Sequence, residues 1–155
     1  MTGRGEQAYA GQQLVLAVDR AGEDAAAGRT PLARRRLKSH LVNRSDDLAA
    51  RALLAELYRA DGHHDEAGRW GWFGVATPAE RAAYERQCAH RMTPAWTATS
   101  ILRGLRWTAP VEDAPPHVRE ALADLARRSA EERARWEHEA HPLRTVLERL
   151  RRWWR

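Results

Sequence analysis

Three groups of residues carry side chains that could do chemistry. His63-His64-Asp65-Glu66 offers imidazoles and carboxylates, the ligand types of zinc, and zinc needs three or four of them converging on one point. Adjacent histidines in a turn between helices point apart, so the group reads as ordinary turn polarity. Glu137-His138-Glu139-Ala140-His141 sets two histidines three apart near a helix end. The HExxH zinc motif sets them four apart, and histidine near a helix C-terminus is favoured by the dipole alone. Cys88 and His90 could supply a thiolate and its base. Two positions apart on a helix they diverge by about 200°, and no oxyanion element accompanies them. Neither a glycine-rich phosphate loop nor a GxSxG elbow is present. The expectation is no catalytic residue, no metal and no cofactor, with a metal-dependent hydrolase the least supported reading.

Residues suited to binding are more plentiful. Arg34-Arg35-Arg36 with Lys38 forms one basic cluster, and the chain closes on a second, Arg149, Arg151, Arg152, Trp153, Trp154 and Arg155. If Arg36, Lys38, Arg149, Arg151, Arg152 and Arg155 share a face, they would grip an anion, with affinity falling as salt rises. The terminal RRWWR admits three readings: a docked helix completing the core, a contact with another protein or a second copy, or an anionic surface, which is either nucleic acid with Trp stacked on unpaired bases or a membrane with Trp at the headgroups. The docked reading is preferred and the membrane one is disfavoured. Among the other tryptophans, Trp70 and Trp136 are expected as core or groove wall. Trp96 and Trp107 bracket one helix, and Trp72 with Phe73 closes a hairpin.

Composition sets the fold class. The chain has 155 residues, 43% of them hydrophobic, with one phenylalanine (Phe73). Ala, Leu, Arg and Glu greatly outnumber β-branched residues, which favours helix because these side chains lose little rotamer freedom there. The fold expected is all-α. Net charge is +5, which suits an anionic partner, although the alternation of sign along the chain also fits a solvated helix surface. A lone cysteine excludes an internal disulfide. No apolar run approaches the ~20 residues of a membrane span, and the N-terminus lacks the apolar core of a secretory signal. Cytoplasm is the expected location.

Residues 1–11 are Gly-rich and polar, a flexible N-terminus ahead of one all-α domain at 12–155. Helices are expected at about 12–27, 31–42, 47–61, 64–75, 78–90, 94–106 and 116–139, followed by a last one from Leu143 after a break at His141-Pro142. Thr30-Pro31, Thr77-Pro78 and Thr93-Pro94 each look like a helix start. Glu80 stands three after Thr77, the spacing of a capping box. Ser45 or Asp46 is the cap expected before the helix at 47.

The stretch 51–78, RALLAELYRADGHHDEAGRWGWFGVATP, organises the rest. Gly28 and Gly62 are 34 apart, as are Ala33 and Ala67, and Leu54, Ala55, Tyr58, Gly62 and Ala67 follow the order of a tetratricopeptide repeat. Small Ala lets paired helices approach and Gly tolerates the turn. The chain therefore resembles a tetratricopeptide-like protein, with two hairpins over 12–77 and further packed helices over 78–155. More narrowly, LLAELYRADGHHDEAGRWGWF, TPAERAAYERQC and ILRGLRWTAP resemble a bacterial family of unknown function over about 20–130, the basic C-terminal helix departing from its pattern. Helical hairpins expose a groove that binds peptides or helices unless their own C-terminal half fills it. The function expected is a non-enzymatic protein- or peptide-binding adaptor, with Tyr58, Arg69, Trp70, Trp72, Arg34 and Arg35 on the groove and its rim. The alternative is a nucleic-acid- or anion-binding regulator using the arginine-rich helices. Oligomeric state is left open.

Overall fold

Every regular element in the computed structural model is helical among the residues it describes, 17–91 and 96–153, the side chains of 91 and of 139–153 excepted. In chain order these are α1 (17–26), α2 (Thr30–Asn43), α3 (Leu48–Ala60), α4 (His64–Trp70), α5 (Pro78–Arg91), α6 (Thr97–Leu105), a 3-10 turn at Val111–Asp113, and α7 (Pro116–Trp153). Successive helices pack on one another from α2 to α7, and α6 also reaches α4.

The α1–α2 and α3–α4 turns are copies of each other. Gly28 and Gly62 have φ of 75° and 77°, the left-handed region that a Cβ disfavours. Their amides donate to Ala25 O and Arg59 O, and the next residues, Arg29 and His63, donate to Asp24 O and Tyr58 O. Ala33 and Ala67 then bond back to Arg29 O and His63 O, and both alanines are fully or almost fully buried. Each bond in the second turn lies 34 residues after its counterpart.

The helix starts follow local chemistry, with some corrections. Thr77 and Glu80 form the expected capping box: Thr77 N donates to Glu80 Oε2 at 2.8 Å and Glu80 N to Thr77 Oγ1 at 3.2 Å. Thr30 does not cap α2. Arg29 occupies the cap position without a side-chain capping bond and Pro31 falls in the first turn, where a missing N–H costs nothing. The cap of α3 is Asp47, not Ser45 or Asp46; it accepts from Ala50 N at 2.9 Å. Thr93-Pro94 lies outside the described residues. α4 ends at Trp70, short of the expected 75, because the helix-poor Gly71 and Gly74 lead into turns. The break expected at Pro142 is absent: α7 is continuous through it. Proline removes a single backbone donor and its fixed φ is itself helical, while strong helix formers flank it on both sides.

Two apolar clusters form the core. Ala21, Leu37, Leu41, Leu54, Ala55 and Trp70 belong to the first. The second gathers Trp72, Phe73 and Tyr84 with Ile101 and Leu105 of α6 and Val118, Leu122 and Leu125 of α7. Each buried Leu contributes about 1.5–3 kcal/mol. Close helix approach is set at Gly68, where a Cβ would overlap the Glu80 carbonyl of α5. Among the described residues no helix is long and apolar enough to cross a membrane.

Candidate functional site

α6 is nine residues long, too short to be stable by itself, and charged side chains from other helices hold both its ends. At the N-terminus the buried Glu132 of α7 accepts from Ala98 N at 2.7 Å and from Thr99 N at 3.1 Å, one through each carboxylate oxygen. Ser129 adds a hydroxyl contact to Thr99 at 2.7 Å. At the C-terminus Arg51 Nη2 donates to Leu105 O at 2.8 Å, and Arg69 Nε to Gly104 O at 2.8 Å. An anion on the free N–H end and cations on the free C=O end are what the helix dipole favours.

Arg51 is the joint between the two clusters. It is 2% exposed, and Nε donates to Ser45 O at 2.7 Å. Its guanidinium lies 5.4–5.8 Å from the ring centres of Trp70, Phe73 and Trp107, a cation held on π faces. Among the described residues no carboxylate bonds to it, and Nη1 is buried without a hydrogen-bond partner. Burial, with the Arg69 charge adding to it, pulls Arg51 down to about 10, partly opposed by Asp46, so it remains charged at neutral pH. Ser45 Oγ accepts from Thr108 N at 2.8 Å and Ala109 N at 3.2 Å, which staples the segment after α6 to the α2–α3 turn.

Beside this joint opens a cavity of about 640 Å³. Lys38, Leu41 and Val42 of α2 form one wall, and Arg69 and Trp70 of α4 form another. Arg51, Arg103, Arg106 and Thr108 complete the lining. Five of these nine residues are cationic and none is acidic, so the cavity has a single sign of potential against apolar walls, which concentrates anions. Lys38, Arg103 and Arg106 are exposed and have no bonded carboxylate among the described residues. Glu66 lies 3.4 Å from Arg69 Nη1 and also accepts from Trp70 Nε1 at 2.9 Å.

Over residues 13–151 the chain matches the model of a family of unknown function. It belongs to that family, DUF6584. The match runs beyond the 20–130 stretch to residue 151, so it covers part of the C-terminal helix that was expected to depart from the family pattern but not Arg152–Arg155. No curated protein and no solved structure matches the chain.

In this family member the expected site residues divide among several places. Arg69, Trp70 and Lys38 meet at the cavity. Arg34 lies 4.9 Å over the Tyr58 ring and bonds Asp61 at 2.6 Å, a cluster at the α3–α4 turn. Arg35 and Arg36 line a separate shallow hollow with Arg20, and Arg36 Nε donates to Asp24 at 2.6 Å. Asp24, held mainly by Arg29 and also by Arg36, has its carboxyl below the usual range. Trp72 is 8% exposed and packs edge-on against Tyr84, so its ring is core rather than rim. Trp136, expected in the core or groove wall, is 51% exposed and lies beside Trp96. The side chains of Arg149, Arg151, Arg152 and Arg155 lie outside the described residues.

The groups first considered for chemistry are dispersed. His63 stacks edge-on to Tyr58, Asp65 accepts from Gln87, and Glu66 serves Trp70 and Arg69. Cys88 is buried while His90 is exposed. Among the described residues no three His, Cys, Asp or Glu side chains gather as a metal site needs. Arg51, Glu132, Arg103 and Arg106 were missed from the sequence. A signal existed for Arg51: it shares the helix face of Leu48, Leu54, Ala55 and Tyr58, a lone cation on an apolar stripe. Nothing local marks Glu132, whose role depends on where α6 docks.

Proposed function

We propose that this chain is a cytoplasmic, non-enzymatic interaction domain that holds an acidic segment of a partner protein in the cavity between α2, α4 and the end of α6. One observation carries the reading: among the described residues, five cations and no carboxylate line a cavity whose remaining wall is Leu41, Val42, Trp70 and Thr108. Apolar walls give an extended or helical segment somewhere to bury side chains, and the cations select its charge. The repeated turn at Gly28 and Gly62 supports the finer reading that α1–α4 are two tetratricopeptide-like hairpins, which present rather than catalyse. Most of the cations have no structural duty, since only Arg51 and Arg69 are committed to helix ends.

The test is titration of a fluorescent twelve-residue Glu/Leu peptide, with a Lys/Leu peptide as control. The acidic peptide should bind in the micromolar range and weaken as ionic strength rises. Lys38→Glu, an exposed change, should cost it about tenfold (~1.4 kcal/mol). Equal binding of both peptides, or no effect of Lys38→Glu, would remove the cavity from the reading. Tighter binding of random-sequence nucleic acid than of the acidic peptide would transfer it to the alternative, a nucleic-acid-binding regulator.

A further inference from the structure

Arg69, Arg103 and Arg106 line the 640 Å³ cavity and also a second one of about 400 Å³ bounded by Tyr84, Gln87 and Ser100. The three arginines are therefore the shared ridge between two adjoining cavities. Arg103 lies in the last turn of α6 and Arg106 caps it. Both are exposed, and neither has a carboxylate bonded to it among the described residues.

The backbone at Arg106 points the same way. Its φ of 50° makes it the one non-glycine residue with positive φ among those described. This is the position after a helix where glycine is the ordinary choice, because a Cβ there is strained. Arg106 carries that strain with its side chain in the cavity lining, and strain of this kind gathers at ligand clamps.

We propose that Arg103 and Arg106, with Arg69 beside them and Arg51 behind, form a site for a dianionic phosphoryl group, so that the acidic segment of the proposed function is a phosphorylated one. This rests on the cavity being the binding site. Two charges and three acceptor oxygens match guanidinium forks, each able to donate in parallel pairs. A single carboxylate would balance only one of five cations. The C-terminal dipole of α6, equivalent to about half a negative charge, opposes an anion there. Arg51 and Arg69 already occupy its last carbonyls, so the net field on the ridge stays positive.

The experiment compares an acidic peptide carrying one serine with its phosphoserine twin, and inorganic phosphate with sodium chloride at matched ionic strength, near pH 7.5. The phosphorylated peptide should bind at least tenfold more tightly, and millimolar phosphate should compete with it where chloride does not. Arg103→Gln with Arg106→Gln should weaken both peptides, because both residues line the cavity, but should cost the phosphorylated one at least tenfold more and so erase the preference. Arg106→Gly should raise Tm by a few degrees, by releasing the backbone, and still lose the preference. Equal affinity for the two peptides overturns the phosphoryl site and leaves the acidic-segment reading intact. Binding of neither removes both. A preference that survives the double glutamine variant places the phosphate elsewhere and also overturns the site.

Discussion

Arg51 and Glu132 grip opposite ends of one short helix: the guanidinium takes the Leu105 carbonyl and the carboxylate takes the Ala98 and Thr99 amides. The two residues come from α3 and α7, so α6 is clamped between the front and back of the chain. A nine-residue helix spans only about 13 Å, and both its unsatisfied ends are closed by buried charge. The cavity forms at the Arg51 end, which makes its shape depend on that clamp.

Replacing Arg51 tests the joint. Arg51→Met keeps the apolar stem but leaves the Ser45 and Leu105 carbonyls unpaired, at about 1–3 kcal/mol for each buried group left unsatisfied. Removing a buried guanidinium also relieves its desolvation, so the net loss expected is about 2 kcal/mol, read as a lower midpoint in urea. Unchanged or greater stability would mean that the contacts of the guanidinium do not outweigh the cost of burying it.

Glu132→Gln separates charge from shape at the other end. The amide can still accept from one of the two α6 amides, but the charge facing the helix N-terminus is lost. A cost of about 1 kcal/mol is expected, with Glu132→Ala costing about 2 kcal/mol because both amides are then unpaired. Hydrogen exchange at Ala98 and Thr99 should quicken in both variants before the rest of α6 does. Exchange that speeds up uniformly over the chain would show that no local clamp exists.

The matched turns make a paired prediction. Gly28→Ala and Gly62→Ala should each cost about 1 kcal/mol, because each glycine holds positive φ and neither Cβ would meet an atom within 4 Å. Strain is then the whole effect, and the two losses should agree closely. Gly68→Ala should cost more, about 2–3 kcal/mol, since the added carbon strikes the backbone of α5 rather than a movable side chain. Thermal unfolding of the three variants ranks them. A Gly68→Ala protein as stable as Gly62→Ala would mean that α4 and α5 can slide apart freely.

Helix content, the two glycine turns and the Thr77–Glu80 cap were legible because each is decided within a few residues. The site was not. Arg103 and Arg106 look like surface charge until α6 docks beside α4, and Arg51 pairs with a carbonyl 54 residues away. Lys38 was picked for its neighbours Arg34–Arg36, yet it faces the cavity while Arg36 is spent on Asp24. Trp72 was named with the groove residues although packing on the next helix was its preferred reading, and it is covered by Tyr84 of α5 and its neighbours. Helical period tells which residues share a face, but contacts between distant helices decide what that face meets. At Pro142 the local rule was outweighed by the helix formers on either side.

Acid should expose one long-range pair. Arg59 Nε and Nη2 donate to Glu80 at 2.5 and 2.9 Å, joining α3 to the capping box of α5. The Arg59 guanidinium, helped by the Thr77 amide and opposed by burial, holds the Glu80 carboxyl at about 2, below its usual 4.5. A depressed carboxyl binds its proton less readily folded than unfolded, so its contribution is complete above about pH 4.5 and is lost as pH falls from there towards 2. Glu80→Gln should therefore be less stable than the parent at pH 7, by about 2 kcal/mol from the lost ion pair and half of the cap. The gap between them should narrow through pH 4 and 3 and nearly close at pH 2. Urea midpoints at four pH values across that range measure it, and the difference reports Glu80 together with any change in Glu56, which shares the Arg59 guanidinium. A gap that stays constant to pH 2 would mean that Arg59 does not pair with Glu80 in solution.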